Sequence, residues 1–156
     1  MAGRIESRLA ELGIELPRPS VPIANYVPWV KTGQLVVVSG QIPLVDGVVA
    51  VKGKVSWGVT IERATEGARI CFINVLVHLK AACDGDLDRV RRVVRLGGFI
   101  SAPSEFTDHA RVMNGASDLA VAVFGDDGRH ARSTIGVPSL PADASVEVEG
   151  MFEIGW

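Results

Sequence analysis

Two long amphipathic segments limit the folds that this chain can adopt. Residues 60–83 carry a stripe of apolar side chains at helical spacing, and Thr60 stands at the position of an N-cap. Residues 104–124 show the same pattern, with Ser104 as the candidate cap. A strand-like run at 89–100 separates the two helices, and further strand-like runs precede and follow them. This order predicts an α+β sandwich of two layers, in which one mixed sheet carries both long helices on one face.

The N-terminal part is predicted to be an extension of a single domain that spans residues 1–156, because a chain of this length with 47% hydrophobic residues fits one domain. Residues 4–12 place three aliphatic side chains on one face of a short helix, which Gly13 is positioned to end. Three prolines between positions 17 and 22 predict an extended linker. Residues 1–20 are therefore interpreted as a helix and linker.

The next segment combines two aromatic residues, a strand and a hairpin. Tyr26 and Trp29 either line a pocket or pack under the sheet. The apolar strand at 35–38 runs into Gly40, which permits a bulge or a close approach of the backbone. Asp46-Gly47 is the predicted type I′ turn of a hairpin.

The C-terminal part holds two strand-like runs, at 132–137 and 145–154, on either side of a proline-containing turn. Apolar residues alternate with glutamates in the second run, which is typical of a strand with one polar face. If the two runs pair as an antiparallel hairpin, Arg132 lies directly opposite Glu147, with Cβ atoms roughly 5 Å apart. A shifted register favours Glu149 instead or turns Arg132 away, and an ordinary exposed ion pair is a further interpretation.

Charge and composition favour some partners and locations over others. The formal net charge of −2 gives no general attraction to nucleic acid. The single basic cluster is interpreted as a solvated edge or a subunit contact, with Arg89, Arg91 and Arg95 on one strand face and Arg92 on the other.

Cys71 and Cys83 are predicted to be reduced core residues of a cytosolic protein. The N-terminus lacks the apolar stretch of a signal peptide, and charged residues or histidine interrupt the long apolar runs, so no membrane span is expected.

The sequence contains no glycine-rich nucleotide-binding motif, no zinc-binding spacing and no nucleophile elbow. His78 has no second ligand type nearby, so it is predicted to be a surface or capped histidine, and no metal is expected. What remains is Arg132 and Glu147, together with Tyr26 and the Ser39-Gly40 pair. These residues are typical of a site that binds a small anion and holds one base.

Several of these residues recur in the order typical of one protein family. They are Tyr26, Ser39-Gly40-Gln41-Ile42-Pro43, Asn74-Val75, Ala131-Arg132-Ser133, Leu140-Pro141 and Val146-Glu147-Val148-Glu149. With these motifs the chain resembles the Rid family of reactive-intermediate deaminases, also called the YjgF or L-PSP endoribonuclease family. The run from Asn114 to Leu119 and the Gly-x-His-Ala-Arg-Ser motif that ends at Ser133 look like one branch of that family.

The resemblance implies a chorismate-mutase-like fold and a cytoplasmic homotrimer with a site in each cleft between subunits. In the deaminase members, the residue matching Arg132 binds the carboxylate of a 2-imino or 2-enamino acid, which is hydrolysed to a 2-oxo acid and ammonia. The residue matching Glu147 lies near a water, and the one matching Tyr26 lines the cleft. The family needs no metal or bound cofactor. The expected substrate-binding residues are Tyr26, Ser39, Gly40, Asn114, Ser133 and Thr134.

Two positions depart from the family pattern. Many deaminase members carry cysteine where this chain has Thr134 and proline where it has His130. Both changes alter the pocket wall and leave the carboxylate-binding arginine in place. The sequence is therefore interpreted as a deaminase of 2-imino and 2-enamino acids. The alternative is a trimeric protein that binds small carboxylates without turnover. An RNA-directed activity, which the family's older name suggests, is disfavoured by the net negative charge.

Overall fold

The computed structural model of the chain describes residues 2–19 and 24–156. Three α-helices and nine strands occur in these ranges. The helices are α1 (Arg4–Glu11), α2 (Ile61–Ala82) and α3 (His109–Phe124). The strands are β1 (Trp29–Thr32), β2 (Leu35–Gln41), β3 (Leu44–Val45), β4 (Val48–Val49), β5 (Lys54–Val55), β6 (Gly58–Val59), β7 (Val90–Ser101), β8 (Ala131–Val137) and β9 (Val146–Ile154).

Five of the strands form one mixed sheet in the order β1-β2-β9-β7-β8. Strands β7 and β8 pair in parallel, and the other neighbours in this sheet are antiparallel. The two short pairs, β3 with β4 and β5 with β6, lie outside the main sheet. Helices α2 and α3 pack against each other and against the sheet. The predicted two-layer α+β sandwich is confirmed.

The two faces of the sheet differ in burial. Alternate residues of the central strands, such as Val36, Leu96 and Phe152, are completely buried with side chains of α2 and α3. The residues between them point to the opposite face, which we call the open face and on which no helix of the described chain packs. Along the open face, Val37, Phe99 and Met151 are half-buried, and Val30 and Ile135 are more than half exposed. Exposed apolar side chains of this kind are suited to contact with another chain, and charged residues such as Arg95 and Glu149 lie among them on the same face.

Local signals place α1 and α2 where the sequence predicts them. The hydroxyl of Thr60 accepts a hydrogen bond from the backbone N–H of Arg63 at 3.1 Å and thereby caps α2. Gly13 adopts a positive φ of 72° directly after α1. The β3–β4 hairpin is also confirmed, because Asp46 and Gly47 both have the positive φ that a type I′ turn requires. The predicted linker is described only in part, because Pro22 lies outside the described residues.

Helix α1 is held in place by a carboxylate from a distant part of the chain. Its N-cap position, Gly3, has no side chain to cap the helix. Asp88 instead accepts hydrogen bonds from the N–H groups of Arg4 and Ile5 at 2.9 and 2.8 Å. These two bonds lower the pKa of the Asp88 carboxyl, since they stabilise its charged form. The helix thus obtains its cap from the tertiary fold rather than from its own sequence.

Helix α3 begins five residues later than predicted, at His109 instead of residue 104. Residues 103–106 form a separate turn, in which the N–H of Phe106 donates to the carbonyl of Pro103 at 3.1 Å. Phe106 is buried and packs edge-on against the ring of His109. Because the burial of Phe106 fixes this turn, Ser104 does not cap the helix, and its hydroxyl lies 3.4 Å from the carboxylate of Glu105.

The predicted hairpin between the two C-terminal strands is wrong. Strand β7 lies between β8 and β9 and pairs with both of them, so that Phe99 is opposite Ile135 on one side and Glu147 on the other. Residues 138–145 connect β8 to β9, and this segment is longer than the two to five residues of most hairpin loops. The chain therefore crosses the end of β7 instead of turning back along β8.

Two predictions about charged or polar side chains also require correction. His78 is only 3% exposed, so it is a core residue rather than a surface one, and burial lowers the pKa of its imidazole. The arginines at 89–95 do not share one strand face, because Arg89 precedes β7 and two β-bulges interrupt the alternation along it. Arg89 and Arg95 form ion pairs with Asp84 and Glu149.

Candidate functional site

Arg132 lies on β8, the edge strand of the main sheet, and its guanidinium is bound to α3. Nη1 donates hydrogen bonds to Oδ1 of Asn114 at 2.9 Å and to the hydroxyl of Ser117 at 3.0 Å. Nη2 donates a longer bond to the carbonyl oxygen of Ala110 at 3.4 Å. Among the described residues, the Nε–H and the second hydrogen of Nη2 have no partner. The edge of the guanidinium that carries these two donors is free to bind a carboxylate side-on.

Ser117 continues the polar contacts beyond the arginine. Its hydroxyl lies 2.8 Å from Nε2 of His130, and Nδ1 of the same ring lies 2.6 Å from the carbonyl oxygen of Gly128. Sequence reasoning identified Asn114 and missed Ser117 as a residue of the site. The spacing contained a usable signal, because residues three apart on a helix lie side by side.

Thr134 and Ser133 fall on opposite faces of β8. Thr134 is two residues from Arg132, so the two side chains project from the same face of the strand. Its hydroxyl oxygen is buried and, within the described residues, has no hydrogen-bond partner. Ser133 is exposed and pairs with Gly97 of β7. We call the group formed by Arg132, Asn114, Ser117 and Thr134 the clamp.

Glu147 lies on the open face, in the second residue of β9. Its neighbours Val146 and Val148 are completely buried on the helix side, whereas Glu147 itself is half-buried. Its side chain rests on Gly40, where an added Cβ would lie 2.9 Å from the carboxyl carbon. Burial raises the pKa of the Glu147 carboxyl, and the nearby charge of Glu149 raises it further.

Gly40 allows this contact because β2 bulges at the same place. The pairing of β2 with β9 changes register between Val38 and Gln41, which confirms the predicted bulge. The hydroxyl of Ser39 donates to the carbonyl oxygen of Val27 at 2.7 Å and ties the segment before β1 to β2. We call the group formed by Ser39, Gly40 and Glu147 the acid site.

The two predicted aromatic residues have different environments. Trp29 is partly buried and packs against the core, so it lies under the sheet. Tyr26 is 51% exposed, in the segment that Ser39 anchors. Tyr26 is thus not packed under the sheet, and its place in the wall of a cleft stays a prediction.

Arg132 and Glu147 do not meet within one chain, so the predicted cross-strand contact between them is wrong. Arg132 is opposite Leu96, whose side chain is completely buried on the helix face. Glu147 is opposite Phe99 on the open face. Because paired residues project to the same side of a sheet, the two charged groups lie on opposite faces. The clamp and the acid site are therefore two separate groups in a single chain.

No group of three or more histidine, cysteine, aspartate or glutamate side chains in residues 2–19 and 24–156 is arranged to hold a metal ion. In the same ranges, each helix is too short or too polar to cross a bilayer.

The mixed sheet, the two helices on one face and the edge-strand arginine define a YjgF-like α+β protein. The family model described as "YjgF/chorismate_mutase-like, putative endoribonuclease" matches residues 6–153, and the chain belongs to this family. It is 42% identical to Protein TCP17 of Trypanosoma cruzi, over 98% of this chain and 96% of that protein. The match to the family model confirms the resemblance that the sequence motifs indicate.

Solved structures show the same fold. The protein Atu1372 from Agrobacterium tumefaciens, whose function is described as unknown, is 46% identical and superposes with a TM-score of 0.91, covering 97% of this chain and 92% of that one. TdcF from E. coli, solved with bound serine, is 21% identical and superposes with a TM-score of 0.65, covering 91% of this chain and 97% of that one. The second likeness is one of fold alone.

Proposed function

We propose that the protein is a hydrolytic deaminase of 2-imino and 2-enamino acids that acts as a cytoplasmic homotrimer. The observation that carries this proposal is the hydrogen bonding of the Arg132 guanidinium. Its guanidinium is held through Nη1 by Asn114 and Ser117, and among the described residues the Nε–H and one hydrogen of Nη2 have no partner. A fixed guanidinium edge binds a carboxylate through two parallel hydrogen bonds and sets the orientation of the substrate. The serine bound to E. coli TdcF is a small molecule with such a carboxylate.

The reaction needs only water and one group that moves protons. The imine carbon is electrophilic, so water adds to it and the electron pair of the C=N bond moves to nitrogen. The resulting carbinolamine loses ammonia as its O–H proton is removed and the C=O bond forms. A 2-enamino acid enters the same sequence after protonation at its β-carbon. A single carboxyl suffices to take a proton from water and return it to the leaving nitrogen.

Glu147 is the residue that we assign to this proton transfer. Its carboxyl is half-buried, and the raised pKa brings its proton exchange nearer to neutral pH. General acid–base catalysis is most effective when the pKa of the group is close to the working pH, and it contributes roughly 10²–10⁴-fold to the rate. The same contact with Gly40 that buries the carboxyl also limits its freedom to rotate.

The clamp and the acid site are joined only if two chains share a site. Within one chain, they lie on opposite faces of the sheet. The half-buried apolar residues Val37, Phe99 and Met151 give the open face a surface that favours burial against another copy. These features support a site between subunits, in which the clamp of one chain faces the acid site of its neighbour. Cys71 and Cys83 are free and buried, which supports a reducing, cytoplasmic location.

A protein that binds carboxylates without turnover is the second candidate. The clamp is complete within a single chain, whereas the Glu147 of that chain lies on the opposite face of the sheet and cannot reach it. Thr134 also replaces the cysteine that many deaminase members carry, with a buried hydroxyl that has no partner among the described residues. RNA cleavage is less favoured, because Arg89 and Arg95 of the basic cluster are already paired with acidic side chains.

The first test measures release of ammonia and 2-oxo acid from freshly generated 2-iminobutyrate. Arg132→Ala is expected to lower kcat/KM by about 100-fold or more, because the charged contact and the orientation that it provides are lost together. Arg132→Lys keeps the charge and loses the bidentate geometry, so it is expected to restore little activity. Arg69→Ala removes a half-buried arginine of α2 that is paired with Glu66 and belongs to neither the clamp nor the acid site, and it is the matched control. Unchanged turnover in Arg132→Ala refutes the proposal, and binding of 2-oxobutyrate without turnover supports the second candidate.

A complementation experiment tests the shared site. Arg132→Ala and Glu147→Ala are each expected to be inactive as homotrimers. After unfolding and refolding together, some clefts of the mixed trimers contain both native residues, and partial activity should return. The double variant refolded in the same way is the control. If active enzyme never returns from mixtures that sedimentation shows to be trimeric, the two residues do not act across a subunit interface.

A further inference from the structure

We propose that His130 is a positioning residue, which acts through Ser117 to fix the guanidinium of Arg132 with its carboxylate-binding edge outward. The catalytic consequence rests on the proposed function, whereas the hydrogen-bonded relay itself does not. His130 stands where many deaminase members carry proline, which has no side-chain donor or acceptor. Three contacts make up the relay, and each of them connects groups from β8, α3 or the segment between them.

The carbonyl oxygen of Gly128 can only accept a hydrogen bond, and this fixes the direction of the other hydrogen bonds in the relay. The carbonyl oxygen of Gly128 accepts, so Nδ1 of His130, 2.6 Å away, carries a proton. In the neutral ring, Nε2 is then an acceptor and receives the hydroxyl proton of Ser117 at 2.8 Å. The lone pairs of the Ser117 oxygen remain to accept from Nη1 of Arg132 at 3.0 Å. Of the two neutral tautomers, only this one satisfies all three bonds at once.

The far end of the relay is also fixed to α3. Gly128 is buried, and a Cβ added there would lie 2.7 Å from the carbonyl carbon of Ala120 and 2.9 Å from Cα of Val121. The backbone at Gly128 therefore sits directly against the helix that also carries Ser117 and Asn114. Because both ends rest on the same helix, the relay fixes the arginine relative to α3 and not only to its own strand.

The other imidazole orientation would not support the arginine in this way. If Nε2 carried the proton, it would donate to Ser117, and Nδ1 would face the carbonyl of Gly128 without a hydrogen between them. The serine hydroxyl would then have to find a new acceptor while still receiving Nη1. The tautomer of His130 is therefore a direct observable of the relay, and it can be measured in the protein without any ligand.

The experiment combines nitrogen NMR of the free protein with binding of 2-oxobutyrate. In protein labelled with 15N-histidine, the signal that disappears in His130→Ala is expected to show the Nδ1–H tautomer once the ring is neutral. Separate Nη1 and Nη2 signals of Arg132, assigned with Arg132→Lys, are expected in the wild type and should merge in Ser117→Ala. Merging reports faster rotation of a guanidinium that has lost its hydroxyl partner.

Ser117→Ala is expected to weaken 2-oxobutyrate binding about tenfold, because one hydrogen bond to a charged group is lost. His130→Ala should weaken binding to a smaller extent, and the double variant should be no weaker than Ser117→Ala alone, since His130 acts through the serine. His130→Gln offers an acceptor near the position of Nε2 and should recover part of the loss. In turnover, these variants are expected to raise KM more than they lower kcat. Ser7→Ala, on the exposed side of α1, is the matched control.

An Nε2–H tautomer of neutral His130 overturns the proposal, as do unchanged Arg132 signals in a folded Ser117→Ala variant. Additive losses in the double variant also overturn it, because they mean that His130 and Ser117 act independently. If the wild type neither binds 2-oxobutyrate nor releases ammonia, the proposed function fails. In that case the tautomer and the arginine signals still decide whether the relay exists.

Discussion

Gly40→Ala tests whether a single methyl group can displace the carboxylate on which the proposed reaction depends. An added Cβ would lie 2.9 Å from Cδ and 3.1 Å from Cγ of Glu147, and closer still to one carboxylate oxygen. Ordinary van der Waals contact begins at 3.4 Å, so the carboxyl carbon has to move by about 0.5 Å and the oxygen by about 1 Å or more. Gly40 does not have a positive φ, so alanine is compatible with its backbone.

The expected result is a large loss of activity with a small loss of stability. A misplacement of about 1 Å in a catalytic group can cost about 100-fold in rate, which corresponds to about 2.7 kcal/mol of transition-state stabilisation. Rotation of the glutamate side chain away from its preferred rotamer costs roughly 0.5–1.5 kcal/mol of folding free energy. The measurements are kcat/KM with 2-iminobutyrate and the free energy of unfolding in urea.

The control is the same substitution in a chain without the glutamate side chain. Gly40→Ala added to Glu147→Ala should have little further effect on turnover, because the clash and the displaced group are both absent. Wild-type kcat/KM in Gly40→Ala would show that the position of this carboxylate does not matter for the reaction. An equal further loss in the double variant would show that Gly40 acts through something other than Glu147.

Two further predictions concern stability. Asp88→Ala removes two hydrogen bonds at the N-terminus of α1 and should lower the free energy of unfolding by about 1 kcal/mol at neutral pH. Because the pKa of Asp88 is lower in the folded state, this difference in the free energy of unfolding should shrink as acid protonates the carboxyl. If the wild type and the variant lose the same amount of stability across the acid range, this prediction is contradicted. Glu147→Gln should stabilise the chain at neutral pH, since the raised pKa means that folding disfavours the charged form. The gain should be lost below about pH 4, where the glutamate is also protonated in the unfolded chain. Urea unfolding at several pH values measures this gain, and a gain that does not change with pH would contradict the argument from burial.

The elements that the sequence predicts well are those fixed by neighbouring residues. Helix α2 begins after its own cap, Thr60, and the β3–β4 hairpin turns at Asp46 and Gly47, where the backbone needs positive φ. The bulge at Gly40 was also predictable, because glycine is the residue that permits a close approach. Each of these signals acts over a few residues, so no knowledge of the rest of the chain is needed to interpret it.

The elements that the sequence predicts poorly depend on partners that are distant in the chain. The start of α3 was predicted too early because the burial of Phe106 fixes the preceding turn. The support of Arg132 by Ser117 and His130 arises from helix packing, which brings α3 against the edge strand. Sequence alternation predicted the polar and apolar sides of β9 correctly but carried no information about its neighbours.

The residue pattern is enough to predict a two-layer α+β protein, and the sequence motifs contain an arginine and a glutamate typical of the family. Their placement on opposite faces of one sheet follows from the fold, in which β7 lies between β8 and β9 and pairs Leu96 with Arg132 and Phe99 with Glu147. The physical reason is that the period of a strand specifies which way a side chain points, whereas strand order depends on backbone hydrogen bonds that every residue type except proline can make.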